Sequence, residues 1–262
     1  MKKLTHYLKY TWTIIIFSYQ STAIYRADFF LRIIRALLEI IITLTILGSI
    51  FHNTVSLGGW SRSEATLVAA ISLLTVGMVT LFFGYGMESL HRQIVTGRFD
   101  RFLTQPLDSQ WLSSTGFIYV TNIFRIIFNL ILFSIVVANL PSAPSPSNIF
   151  FFIISFVSAM IIYYCLMFSA AVISFWALTG ELYYLFNGLT SISKYPIDIF
   201  GFTLKTLLTF LPVIFIATIP AQALLGRYNL LIFLSPIIAL ICLWLTRKFW
   251  IIGLHSYDSA SS

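Results

Sequence analysis

Charge is what this sequence has least of. Of its 262 residues only 10% are Asp, Glu, Lys or Arg, while 58% are hydrophobic; a soluble domain carries roughly 25% charged residues. The mean hydropathy is +0.91. A water-soluble fold cannot hide that much apolar surface, so lipid is the solvent for most of the chain. The nine acids include none expected deep in the bilayer beside a second acid. The four histidines, His6, His52, His91 and His255, fall at no metal-ligand spacing such as HExxH. No GxSxG elbow occurs, nor any GxxxxGK[ST] loop to cradle nucleotide phosphates. A catalytic centre is therefore not expected, nor a metal or cofactor held by the chain itself. Cys165 and Cys242 each lie inside an apolar run and read as buried small residues rather than a disulfide. Lys2, Lys3 and Lys9 precede WTIIIFSY, but the run is short and no small-x-small site follows, so signal cleavage is not expected.

What the sequence does have is long apolar runs. A crossing helix needs about 20 residues, and candidates lie at 33–51, 65–87, 117–140, 149–176 and 229–249. One more crossing is needed between Ala177 and Gly226, and two routes supply it. Either 204–222 is a plain span after a cytoplasmic loop, or 179–194 crosses and 197–224 dips back as a broken helix pair, with Pro196, Pro212 and Pro220 interrupting the backbone. Such interruption is tolerated only where protein or a cavity covers it. The expected fold is thus an all-α integral membrane protein of six transmembrane helices, one transmembrane domain over 1–262, with a re-entrant segment at 195–226 under the second route.

Orientation follows from the flanking cations. Lys2, Lys3, Lys9, Arg26 and Arg32 precede the first span, Arg92, Arg98 and Arg101 separate the second from the third, and Arg247 and Lys248 follow the last; the alternate loops hold Arg62 and Arg227. Both termini and the 88–111 loop are expected in the cytoplasm. The net charge of +7 reads as orientation and contact with anionic lipid, not as a nucleic-acid footprint. Within 1–32, Leu4, Tyr7, Leu8, Thr11, Ile15 and Tyr19 recur at helical spacing, which predicts an amphipathic helix lying in the inner interface.

Few polar residues fall inside the spans. Arg35 and Glu39 are four apart and can pair. Asn122, Arg125 and Asn129 share a helix face and are candidates either for a translocation path or for polar glue between helices. An ion-coupled carrier using Arg35, Glu39, Arg125 or Glu181 is the alternative functional reading, and a membrane scaffold a weaker one. Ala69, Ala70, Gly77, Gly84 and Gly86 in the second span allow close helix approach.

The segment ESLHRQIVTGRFDRFLTQPLDSQW at 88–111 resembles the cytoplasmic loop of permease subunits of type-2 ATP-binding-cassette (ABC) exporters, through Gly97, Phe99, Asp100, Leu103, Pro106 and Leu107. Gln105 stands where the family commonly has Arg. Phe175-Trp176, Tyr195-Pro196, Pro212, Pro220-Ala221 and the tail residues Trp250, Gly253, Leu254, Tyr257 and Ser259 extend the likeness over nearly the whole chain, although Ser256 stands where a basic residue is common. The resemblance implies a permease that forms the path as a dimer, with the same or a related chain, and docks on separate ATPase subunits that use ATP and Mg. It implies a multi-pass protein of a bacterial-type cytoplasmic (inner) membrane. The coupling residues would be Glu88, Arg92, Gly97, Phe99, Asp100, Arg101, Leu103 and Pro106. A coupling helix from Glu88 would present Leu90, Ile94 and Val95 on one side, and Asp100 would pair with Arg98, Arg101 or the partner. Gly97 permits a turn at little steric cost, and Pro106 turns the chain toward the third span.

Overall fold

The computed structural model describes residues 7, 9–16, 18, 20, 26–52, 54–116, 118, 122–177 and 180–257. Helices account for nearly all of it: α1 (Arg26–Ile50), α2 (Arg62–Val95), α3 (Asp100–Leu103), α4 (Ser109–Ser114), α5 (Asn122–Ala138), α6 (Pro146–Val172), α7 (Ser174–Ala177), α8 (Glu181–Ser191), α9 (Phe202–Phe210), α10 (Ile214–Leu224) and α11 (Leu230–His255). Two 3₁₀ turns, Ile192–Lys194 and Ile197–Ile199, follow α8. Two short strands, β1 (Ser56–Leu57) and β2 (Trp60–Ser61), form a hairpin ahead of α2. Its turn residues Gly58 and Gly59 have φ of 59° and 82°, backbone that side chains with a Cβ rarely adopt.

Among the described residues, four helices are long and apolar enough to cross a bilayer: Phe30–Ile50, Arg62–Val95, Pro146–Ala177 and Leu230–His255. A fifth arises if α9 and α10, bent by 99° across residues 211–213, count as one span. This is an all-α membrane protein. α5 is apolar but has 17 residues, about 26 Å at 1.5 Å per residue. Of the apolar run at 117–140, residues 117 and 119–121 lie outside the described residues.

α2 is the mast of the bundle. In its most apolar stretch 72% of residues are buried, against 17% in α1, 33% in α6 and 22% in α11. The remaining spans turn broad Leu, Ile and Phe faces outward, as lipid-facing helices do. Ser61 starts α2 with a capping box, its hydroxyl accepting from Glu64 N–H while the Glu64 carboxylate accepts from Ser61 N–H at 2.9 Å. Thirty-four residues make a rod of about 51 Å, longer than a hydrocarbon core of about 30 Å. Its last turns therefore project beyond the apolar layer.

Small residues set how closely neighbours approach this mast. A Cβ on Gly86 would lie 2.2 Å from the Ser114 carbonyl oxygen and 2.4 Å from that of Ser113, so α4 crosses α2 backbone against backbone there. A Cβ on Gly77 would meet Asn129 Nδ2 at 3.2 Å, where α5 rests on α2. Ala69 and Ala70 are fully buried. Gly77 and Gly86 thus serve packing within the chain.

The two ends of the bundle are knit by different residues. At the hairpin end, Arg227 bridges Glu64 and the Gly59 carbonyl, and Tyr228 O–H donates to Asn148. Trp60 Nε1–H donates to Asp198 Oδ2 at 3.0 Å, and Lys205 pairs with Asp198 at 2.7 Å. At the opposite end, Trp176 Nε1–H donates to Ser256 at 3.0 Å and Trp250 Nε1–H to Ser109 at 3.3 Å. Residues 180–198 link these ends: Gly180 lies against His91, whereas Asp198 lies against Trp60. Residues 198 and 227, which bracket the bent pair, both sit at the hairpin end.

Near the N-terminus residues 9–16 are helical. Ile14 and Ser18 are buried, and Trp12 is 64% exposed. Ile14 packs with Leu74, Leu81, Ile118 and Ile126, and Ser18 Oγ accepts from Ile118 N–H at 3.1 Å. Of the amphipathic face expected from sequence, Tyr7, Thr11 and Ile15 are half-buried; Leu4, Leu8 and Tyr19 lie outside the described residues. The most buried side of this segment is shifted toward Ile14 and Ser18, because a serine that satisfies a backbone N–H is invisible to apolar periodicity.

Gly86→Ala should lower the melting temperature of the detergent-solubilised protein, at a cost of about 1–3 kcal/mol for forced overpacking. Gly188→Ala, where nothing lies within 4 Å of the new Cβ, should leave it unchanged or slightly raised. A fluorescence-detected thermal series on the two variants checks both.

Candidate functional site

The projecting end of α2 carries the site. Its chain reverses at Gly97, with φ of 68°; Gly97 N–H donates to the Ile94 carbonyl and Phe99 N–H to the Gln93 carbonyl at 3.0 Å, closing off the helix end. The turn throws Phe99 back into the bundle, where it is fully buried. Its ring meets Tyr257 at 5.0 Å, Phe175 at 5.4 Å, Trp250 at 5.8 Å and Phe102 at 5.9 Å between centroids, all edge to face. Tyr257 O–H donates to Asp100 Oδ1 at 2.8 Å. Gly253 makes room, since a Cβ there would stand 2.7 Å from the Phe175 ring. Three motifs far apart in sequence, 97–107, 175–176 and 250–257, are thus one aromatic knot.

The knot divides the residues expected to couple to a partner. Gly97, Phe99 and Asp100 face inward as anchors. Asp100 takes the Tyr257 hydroxyl, a contact not foreseen in the expected pairing with Arg98, Arg101 or a partner. Leu90 and Ile94, expected on a docking face, are 0% and 4% exposed. They belong to the core because residues 88–95 continue α2 instead of forming a separate helix. Glu88, Arg92, Val95, Arg98, Arg101, Leu103 and Pro106 are exposed. Arg101 lies over the Phe102 ring at 4.7 Å, and Tyr184 O–H reaches Glu88 at 3.5 Å. Pro106 precedes Asp108, which caps α4 by accepting from Trp111 N–H at 3.1 Å. The exposed strip is therefore basic and apolar, mounted on a rigid base.

A second polar group lies among the spans. Glu39 of α1 binds Arg125 of α5 at 2.9 Å and Lys194 of the 3₁₀ turn at 3.0 Å. Arg125 also donates to Thr80 of α2 at 3.2 Å. The expected Arg35–Glu39 pairing yields to these; Arg35 is exposed. Asn129 is buried and donates to the Leu73 carbonyl at 2.8 Å, filling a backbone acceptor on α2. Asn122 is half-buried at the start of α5. Arg125 and Asn129 of this face thus turn toward α1 and α2 and tie helices together. Beside it, Ser72 and Ser193 hydroxyls share a 2.7 Å bond, and Thr75 donates to the Ile216 carbonyl at 3.2 Å.

Lys194 is the residue that sequence reasoning missed. The tally of flanking cations passes over it and over Lys205, since both sit inside the stretch whose route was open. The signal was a lone lysine between the apolar stretch 182–192 and Tyr195-Pro196: a cation there needs an anion within reach, and Glu39 is one of few.

A family model described as ABC-2 family transporter protein matches residues 37–261. The chain belongs to the ABC-2 transporter family. No match was found among curated proteins or among solved structures. The matched residues hold the whole aromatic knot and the Glu39 triad, whereas residues 9–16 lie before it. An ABC-2 chain of this kind is a membrane component of a transporter, and its helices make it a multi-pass membrane protein.

Phe99→Ala should cost about 3–5 kcal/mol as an aromatic core truncation and lower the melting temperature. Tyr257→Phe should cost about 1–3 kcal/mol by leaving the Asp100 carboxylate short of a donor. Glu39→Gln should destabilise by a similar amount, below the 3–5 kcal/mol of a fully buried pair because these side chains keep some exposure. Thermal unfolding in one detergent ranks the three.

Proposed function

We propose that the chain is the permease subunit of an ATP-driven exporter, paired with a second permease and resting on separate ATPase subunits that bind ATP and Mg. The observation that carries this is the rigidly based strip Arg92–Pro106: a family-type loop locked by the knot and presenting Arg92, Arg98, Arg101 and Leu103 outward. A lever must be stiff at its root to pass force to the spans. Here the root touches α2, α6, α7 and α11 through Phe99, Phe175 and Trp250, so inward movement of the strip drags those helices together.

In this reading the chain crosses the inner membrane six times: α1, α2, α5, α6, residues 180–198 and α11. The α9–α10 pair is re-entrant from the hairpin side. Contacts at its two flanks with the same end support this, as does the burial of Val213, Ile214 and Phe215 at the break, since lipid does not tolerate open backbone. Cation counts put the strip and both termini in the cytoplasm. Lys205 then lies outside, where Asp198 neutralises it. Glu39, Arg125 and Lys194 would hold α1 against the path wall. A carrier driven by ions gains nothing from this arrangement, because two fixed cations already engage its carboxylate.

The tagged protein, solubilised mildly, should bring down an ATPase subunit. Arg101→Glu with Leu103→Asp should abolish recovery of that subunit, and at least tenfold of transport-coupled ATP hydrolysis, without shifting the melting temperature. Asp100→Asn should instead lower the melting temperature first. Full ATPase recovery and coupling with the charge-reversed strip would overturn the docking role.

A further inference from the structure

Between α2, α6 and α11 lies a cavity of about 540 Å³. Its volume is that of a small-molecule site. The wall is apolar: Met78, Phe82 and Phe83 from α2, Met160 and Tyr164 from α6, and Leu243 from α11. Polarity is confined to one end, where α4 contributes Asp108, Gln110 and Trp111. Arg247, one turn beyond Leu243 on α11, pairs with the residues at that end. Its guanidinium pairs with Asp108 through both nitrogens, Nη2 to Oδ2 at 2.7 Å and Nη1 to Oδ1 at 3.1 Å, and Nη1 also donates to Gln110 Oε1 at 3.0 Å. The side chains of Arg247 and Asp108 remain 45% and 33% exposed, so both charges are accessible beside the cavity. Trp111 Nε1, buried in the same wall, has no acceptor among the described residues.

We propose that this cavity is a phospholipid site selective for a zwitterionic amine headgroup, with one acyl chain inserted between α2 and α6. An apolar space of this size among spans is filled by hydrocarbon, since water gains no partners there. The charged end sets the depth, because Arg247 and Asp108 belong at the headgroup level while Leu243 and Met160 lie toward the chains. The end presents a cation and an anion side by side. A headgroup carrying phosphate and ammonium matches both, the phosphate at Arg247 and the ammonium at Asp108. A purely anionic headgroup meets the Asp108 carboxylate as a like charge. Methionines 78 and 160, unbranched and adaptable, let the wall fit a chain. The site also abuts the knot, because Trp250 donates to Ser109 at the start of α4; a bound lipid therefore braces the base of the strip.

The test needs only the full chain, in nanodiscs of equal phosphatidylethanolamine and phosphatidylglycerol. After extraction and partial delipidation, native mass spectrometry should show one retained phosphatidylethanolamine. Met78→Trp, and Ile161→Trp on the α6 wall beside Met160, each filling the cavity, should reduce that retention at least tenfold. Asp108→Asn, which keeps an α4 cap, should retain lipid but lose the preference between the two headgroups. Phosphatidylethanolamine with a photoreactive acyl chain should label peptides containing Phe82 and Met160 in the unmodified chain, a readout independent of whether either filled variant folds. Equal retention of the two lipids by the unmodified chain, undiminished retention in monodisperse filled variants, or labelling confined to other helices would each overturn the proposal. None of these results bears on recovery of an ATPase, so the permease reading stands or falls separately.

Discussion

The burial of one ring, Phe99, is the contact on which the working end of this molecule depends. Phe99 can reach Phe175, Trp250 and Tyr257 only because Gly97 reverses the chain at positive φ and Gly253 leaves space against Phe175. Edge-to-face aromatic pairs add about 0.5–1.5 kcal/mol each beyond their buried area, and four converge on this ring. They hold a loop that would otherwise be a solvated connector. With the loop fixed, the cations beyond it become a surface of defined shape.

Lipid imposes the complementary constraint along the spans. Each polar group there must find a partner inside the protein, and the molecule meets this by crossing polar side chains between helices. Asn129 caps the Leu73 carbonyl, Thr75 the Ile216 carbonyl, Ser72 meets Ser193, and Glu39 gathers Arg125 and Lys194. These contacts tie α1, α5 and the 192–194 turn to the central α2, whose small residues let neighbours come close. The broken backbone of α9–α10 is tolerable for the same reason. Just past the break, Val213, Ile214 and Phe215 are buried and Thr75 donates to the Ile216 carbonyl.

Much of this was legible from apolar runs alone. The helices found at 26–50, 62–95, 146–177 and 230–255 enclose or overlap the stretches read from hydropathy, because a window of twenty apolar residues has few other uses. Helix ends were less legible. Residues 88–95 read as a separate amphipathic piece but continue α2, since Leu90, Gln93 and Ile94 face core rather than solvent and no breaker precedes Gly97. The Arg35–Glu39 pairing was a sound local inference that tertiary neighbours outbid: Arg125 and Lys194 bring two hydrogen-bonding cations from other helices into a less polar site.

Composition and order by themselves determined that the chain lives in lipid, where its long helices fall, and that Gly97, Phe99, Asp100, Trp250, Gly253 and Tyr257 belong to a recognisable pattern. Those properties are local, set by the length of an apolar run or the identity of a residue. Which of those residues faces inward was decided only by the fold. Phe99 and Tyr257 are 158 positions apart, and whether a ring docks or is displayed depends on what stands opposite it. The tertiary structure alone decided that the motif is first a knot, that Glu39 is shared by two helices, and that α2, α6 and α11 leave room for a chain between them.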